Sequence, residues 1–125
     1  MHDPEDRPPV WIGHAGPVGA TDPDATIEFY EGLGLRFIHR NDRIAALQLR
    51  GGTHLVVDTS GEVETTDAAP FDLMVDDIAA YHRHLVAEGL EPAPIEQLRA
   101  HQRFWITDPS GHRIRVHDSH VVGPA

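Results

Sequence analysis

The stretch TDPDATIEFYEGLGL (residues 21–35) contains the signals of one complete helix and decides how the chain is divided. Either Thr21 or Asp22 is the expected N-cap, and Pro23 follows in the first turn, where its missing N–H is tolerated. Apolar side chains recur at helical spacing, and Gly34 ends the helix because glycine adopts the left-handed conformation of a C-cap. The sequence therefore predicts a helix between Asp22 and Gly34.

A second helix of the same design follows in DIAAYHRHLVAEGL (77–90). Asp77 and Gly89 stand 55 residues after Asp22 and Gly34, so the two predicted helices have the same length. Each helix has one strand-like run before it and three after it. These runs are 10–20, 35–40, 43–50 and 53–58 in the first half, and 71–77, 91–99, 101–108 and 112–118 in the second. The repetition predicts an internal duplication of a strand–helix–strand–strand–strand unit.

The predicted architecture is an α+β domain of two βαβββ modules. A chain of 125 residues fits one such domain. Residues 1–9 are expected to be a disordered arm, because their prolines and charges offer little to bury. The domain is predicted at 10–120, with module one at 10–59, a linker at 60–70, module two at 71–120 and a tail at 121–125.

The composition excludes several classes of function. Twenty acidic against ten basic side chains give a formal charge of −10, which disfavours a nucleic-acid partner and favours a cationic ligand. The absence of cysteine excludes disulfides, thiolate metal sites and a cysteine nucleophile. No run approaches the length of a membrane span, and the acidic, proline-rich start leads us to expect a cytoplasmic protein.

The stretch HRIRVHDSH (112–120) alternates polar and apolar residues, so in a strand Arg113, Arg115 and His117 would share one face. Ile114 and Val116 would occupy the opposite face. The basic face could hold a metal, an anionic or oxygen-rich small molecule, or only neighbouring carboxylates. The residues alone leave these three alternatives open.

Two motifs and the two modules together resemble the vicinal oxygen chelate superfamily. The motifs are FYEGLGL (29–35) and FWITDPSGHRIRV (104–116), and the resemblance extends from about Val10 to Asp118. The superfamily includes glyoxalase I, fosfomycin-resistance transferases, extradiol dioxygenases and bleomycin-resistance proteins. The resemblance implies modules that form a cupped mixed sheet, a homodimer that completes the cups, and either catalysis at a metal or non-covalent binding of a small molecule.

In the metal-using members, the first and last strands of each module supply His, Glu or Gln ligands. The resemblance places one such position at His54, a competent donor. It places another at Arg115, whose guanidinium cannot bind a cation, and a third at Pro70, which has no side-chain donor. The complete metal site of the enzymes is therefore not expected.

The fourth position falls on Ala15, next to His14. His14 reaches the cup only if Gly16 and Pro17 form a bulge that restores the phase of the strand. His117 could add a third donor, so His14, His54 and His117 are the candidate metal ligands. Fe, Mn, Ni or Zn would suit such a site.

Other side chains are candidates for the lining of the cup. Trp105 either packs in the core or stacks on a flat heterocycle, as tryptophan does in bleomycin-resistance-like members. Phe37 and His39 are expected on one strand face, either as core and rim or as cup wall. Arg115 either pairs with an acidic neighbour or presents its planar fork to a ligand oxygen. His54 is either a satisfied, half-buried histidine or part of the lining.

The leading hypothesis is a small-molecule-binding protein of the antibiotic-sequestering type, without a cofactor and without catalytic residues. Its ligand is expected to be aromatic or cationic. Its candidate binding residues are His54, Arg115, Trp105, Phe37, His39 and His117. One alternative is a metal-dependent glyoxalase-like lyase or isomerase, or an extradiol-type dioxygenase, with an atypical histidine site. Another is an interaction module that keeps the fold without the pocket chemistry.

Overall fold

A computed structural model describes residues 9–61 and 69–118 and contains the two expected βαβββ modules. The predicted arm at 1–8, most of the linker (62–68) and the end of module two with the tail (119–125) lie outside the described residues. Module one comprises β1 (His14–Gly19), α1 (Pro23–Leu33), β2 (Arg36–Arg40), β3 (Ile44–Gln48) and β4 (His54–Asp58). Module two comprises β5 (Leu73–Val75), α2 (Ile78–Ala87), β6 (Glu96–Gln97), β7 (Gln102–Thr107) and β8 (Arg113–Asp118).

Each module forms its own four-stranded mixed sheet. The strand orders are β1-β4-β3-β2 and β5-β8-β7-β6. In both sheets the first and last strands of the module pair in parallel, and the remaining pairs are antiparallel. Side chains of a module's first strand therefore lie beside those of its last strand, although they are distant in sequence.

The two helices begin with the same aspartate cap. Asp22, not Thr21, is the N-cap of α1, and its carboxylate accepts from Ala25 N at 3.2 Å. Asp77 caps α2 in the same way, with Ala80 N at 3.0 Å. These caps satisfy N–H groups that have no partner within the helix. The predicted α1 terminus is confirmed, since Gly34 has a φ of 109°.

One continuous cluster of buried apolar side chains spans both modules. It contains Tyr30 and Leu33 of α1, Leu85 of α2, and the inward-facing residues of the long strands, such as Phe104 of β7. The modules are therefore halves of one core. Within the described ranges, neither helix has the length and apolarity that a membrane crossing requires.

The turn before β8 connects the two modules through buried hydrogen bonds. Asp108, only 4% exposed, accepts from Tyr30 Oη of α1 at 2.9 Å and from the backbone N–H groups of Ser110 and His112. His112 Nε2 donates to the carbonyl of Gly19 at 2.9 Å. The DPSGH sequence thus forms a self-capped turn that is attached to module one.

Two strand predictions need correction. The run 91–99 forms only the two-residue strand Glu96–Gln97, because Pro92 and Pro94 lack the N–H that a ladder requires. In β2, a bulge after Phe37 changes the pairing with β3.

Candidate functional site

Each sheet packs one face on the core and leaves the other face open. In β8, Ile114 and Val116 are buried, whereas Arg113 and Arg115 are exposed and His117 is half-buried. The predicted basic face is therefore confirmed. It lies on the side of the sheet that faces away from the helices.

A depression of about 370 Å³ occupies this open face in module two. Its lining is Ala69, Pro70, Phe71, Asp72, Trp105, Arg113 and Arg115. The structure therefore brings together two predicted site residues, Trp105 and Arg115, which pair directly opposite each other on β7 and β8. We call this feature the module-two depression.

An acidic neighbour occupies part of the basic face. Arg115 donates to Asp72 Oδ2 at 2.9 Å, and His117 Nε2 lies 3.5 Å from the same oxygen. Arg115 and Asp72 are each 44% exposed, so their attraction is screened by solvent and contributes little to stability. The pair instead fixes the direction of the Arg115 side chain beside the depression.

Trp105 is half-buried at the base of the depression and lies under a cation. The guanidinium carbon of Arg113 is 4.3 Å from the centroid of the Trp105 ring. That distance is typical of a cation–π interaction. The indole thus contributes to the lining rather than to the core, and Arg113 covers part of its surface.

Arg113 is the site residue that sequence reasoning missed. Val18 pairs with Val57 in module one, and Leu73 pairs with Val116 in module two, so the last strands correspond with an offset of 59 rather than 55. Under this register His54 corresponds to Arg113, not to Arg115. Parallel pairing of the strands was the signal that could have located it.

In module one, His14 and His54 lie side by side. They pair across β1 and β4, and their ring centroids are 5.9 Å apart. The register shifts between Ala15 and Val18, as the conditional bulge at Gly16 and Pro17 required. The bulge lets Val18 point into the core while His14 stays on the open face.

An open depression of about 520 Å³ adjoins this histidine pair. Its lining includes His14, Ile44, Val56 and Asp58. Hydrogen bonds from Ser60, first from its hydroxyl and then from its backbone N–H, lower the pKa of Asp58. The depression therefore combines an apolar wall with an ionised carboxylate at its edge.

The candidate ligands His14, His54 and His117 do not form one metal site within the described part of a single chain. His14 and His54 belong to the first sheet and His117 to the second. Across residues 9–61 and 69–118, no three His, Asp or Glu side chains are grouped closely enough to hold a metal ion. Two imidazoles are an incomplete donor set for a divalent metal.

The expectation that Phe37 and His39 share a face is wrong. Phe37 pairs with the buried Leu47, whereas His39 pairs with Ala46 on the open side. The bulge inserts one extra residue between them, which turns the two side chains to opposite faces. Only His39 therefore faces the same side as His54.

Comparison with known proteins agrees with this geometry. The family model of the Glyoxalase/Bleomycin resistance protein/Dioxygenase superfamily matches residues 11–116. The chain belongs to this superfamily. A comparison of the sequence with curated proteins found no match.

Several solved structures of similar fold illustrate the range of the superfamily. An antibiotic-binding protein from Streptomyces sp. CB03234 has a TM-score of 0.74 at 19% identity, covering 87% of this chain and 95% of its own. The bleomycin resistance determinant of transposon Tn5 has a TM-score of 0.71 at 22% identity, covering 90% and 100%. Lactoylglutathione lyase from Agrobacterium tumefaciens has a TM-score of 0.70 at 19% identity, covering 90% and 96%. Binding proteins and an enzyme thus share the fold of this superfamily member.

Proposed function

We propose that this protein binds a small planar molecule non-covalently in the module-two depression. The observation that carries the proposal is the convergence of Trp105, Arg113 and Arg115 around one concavity. An aromatic wall with a few convergent polar groups is the usual composition of a small-molecule site. In this reading the protein sequesters its ligand, and no bond is made or broken.

The residue chemistry supports binding over catalysis at this depression. Its lining contains one carboxylate, Asp72, which is already engaged by Arg115. A general base needs a free acceptor within reach of the proton that it removes. The arginines instead supply donors that orient a ligand.

We further propose that the protein works as a homodimer. The open face of each sheet carries half-buried or exposed side chains, and Val10, Trp11 and Ile12 beside β1 are each more than two-thirds exposed. An exposed apolar patch of this kind commonly marks an interface. Sedimentation analysis of the full chain tests this expectation. The cytoplasmic location expected from the sequence stays a prediction.

The binding proposal is tested at the Trp105 indole N–H. A ¹⁵N-labelled sample would be titrated with a panel of planar neutral, cationic and anionic compounds, with a Trp11→Phe variant to assign the two indole signals. We expect saturable shifts of the Trp105 signal for at least one compound. A Trp105→Leu variant should weaken that compound's binding by roughly 30-fold, as loss of an aromatic anchor does.

The control variant Trp11→Phe should bind the same compound with unchanged affinity. If no compound in any charge class perturbs Trp105, or if Trp105→Leu binds as well as the unsubstituted protein, the proposal is wrong.

The second candidate function is metal-dependent catalysis, and the pairing of His14 with His54 favours it. These two imidazoles could provide part of a donor set, and the remainder would have to come from outside the grouping that one chain shows. Metal content of untagged protein after incubation with Mn, Fe, Ni and Zn tests this alternative. One ion per chain that is lost in His54→Ala would favour it over sequestration.

A further inference from the structure

The cations around Trp105 differ in whether a carboxylate neutralises them. Arg103 Nε lies 3.5 Å from Glu96, and Arg115 donates to Asp72 at 2.9 Å. Arg113 has no carboxylate oxygen within 4.0 Å among the described residues. One guanidinium beside the depression is therefore without a counter-charge in that part of the chain.

The geometry of Arg113 leaves its hydrogen-bonding edge available. The guanidinium carbon is 4.3 Å from the Trp105 ring centroid, so the flat group contacts the indole through its face. Guanidinium N–H groups lie in the plane of the group, and two of them match the two oxygens of a carboxylate. Contact with Trp105 thus reduces the freedom of Arg113 without using its donors.

The depression has a net positive charge in an otherwise acidic protein. Its lining contains the two guanidinium groups of Arg113 and Arg115 and the single carboxylate of Asp72. This local excess is opposite in sign to the formal charge of −10 on the chain. At contact distance, local partners dominate over charges more than a Debye length away, about 8 Å at physiological salt.

The rest of the lining is flat and apolar. Phe71, Pro70 and the indole of Trp105 form walls around a volume of about 370 Å³. That volume is near the lower end of small-molecule sites, roughly 300–1,000 Å³, so it suits one or two fused rings.

We infer that the ligand of the module-two depression is a small aromatic carboxylate whose anionic group binds Arg113. This inference rests on the proposed function and deepens it, because it names the ligand class. It also replaces the cationic ligand that the net charge suggested. Arg113 selects the carboxylate, and the apolar walls hold the ring system.

Three probes of equal shape test the inference: 2-naphthoate, 2-naphthamide and 2-naphthylmethylamine. Each would be titrated into the full-length protein, with the Trp105 indole signal and calorimetry as readouts. We expect 2-naphthoate to bind roughly 10- to 100-fold more tightly than the amide, which is typical for a charge-assisted hydrogen-bonded pair. The amine should bind more weakly than both.

Variants at matched arginines show which cation is responsible. Arg113→Gln should reduce the preference for naphthoate over naphthamide to within about 3-fold, while Arg113→Lys should retain part of it, because it keeps the charge without the planar fork. Arg103→Gln is the control, since Arg103 is paired with Glu96 and does not line the depression; its preference should not change.

Two results would overturn the inference. One is equal or tighter binding of the amide or amine at Trp105, which would leave the binding function intact. The other is an absence of any naphthoate effect on Trp105 while other planar compounds do perturb it. Failure of the whole compound panel would instead refute the proposed function itself.

Discussion

Replacing Tyr30 with phenylalanine should reveal how strongly the two modules are joined. The Tyr30 hydroxyl donates to Asp108 Oδ2 at 2.9 Å, and both residues are buried. The other oxygen, Oδ1, accepts from the N–H groups of Ser110 and His112. Loss of the hydroxyl therefore removes the hydrogen bond of Oδ2 at a site that solvent hardly reaches.

The magnitude follows from the charge of the acceptor. A hydrogen bond to a charged group contributes about 1.5–3 kcal/mol to the free energy of unfolding. An unfolding entropy of about 2.1 cal/mol/K per residue gives a Tm change of roughly 4 °C per kcal/mol for a chain of this length. We therefore expect Tyr30→Phe to lower the Tm by about 6–11 °C.

Scanning calorimetry at fixed protein concentration measures this change. Tyr81→Phe is the matched control, because the Tyr81 hydroxyl donates to the neutral carbonyl of Leu33 at 2.5 Å. Its loss should cost about 0.5–1.5 kcal/mol. A Tyr30→Phe protein whose Tm changes by less than that of Tyr81→Phe would refute the reasoning.

Three further outcomes are expected. Burial raises the pKa of Tyr81 to about 12 from its ordinary value of 10.0, so its contribution to stability is complete below pH 10 and is lost as the pH rises from 10 to 12; denaturant titrations of Tyr81→Phe should lack this decrease. Gly16→Ala should destabilise the fold by more than about 1 kcal/mol, because φ is +98° and a Cβ would lie 2.6 Å from the Val56 carbonyl oxygen, whereas Gly13→Ala meets nothing within 4 Å and should be nearly neutral in the same assay. Asp72→Asn should change the free energy of unfolding by less than about 1 kcal/mol but strengthen naphthoate binding in calorimetry, since it removes the one carboxylate of the module-two depression; weaker binding would contradict the charge argument.

Local signals in the sequence were sufficient for the helices and the alternation of β8. Asp22 and Asp77 cap their helices within four residues, and Arg113 and Arg115 alternate with buried neighbours, so each prediction depended on short-range geometry. The duplication then indicated the topology, because each half needed the same partners.

The remaining features depend on contacts between strands. A bulge separated Phe37 from His39, and no residue type in that stretch marks it. The contact of Arg113 with Trp105 depends on the register of β7 against β8. The choice of Asp72 as the partner of Arg115 likewise required the parallel alignment of β5 with β8, since this chain offers many other carboxylates.

The attachment of His112 to Gly19 also affects how the two halves can diverge. β8 begins at Arg113, one residue after an imidazole that is hydrogen-bonded to the first module. A substitution in the β1–α1 connection can therefore shift the start of the strand that supplies both arginines of the depression. After duplication, neither half was free to drift alone: ligand preference in the second half was inherited together with a backbone position in the first. In related chains, changes of ligand class should accordingly be accompanied by changes around Gly19 and Thr21, far from any bound molecule in sequence.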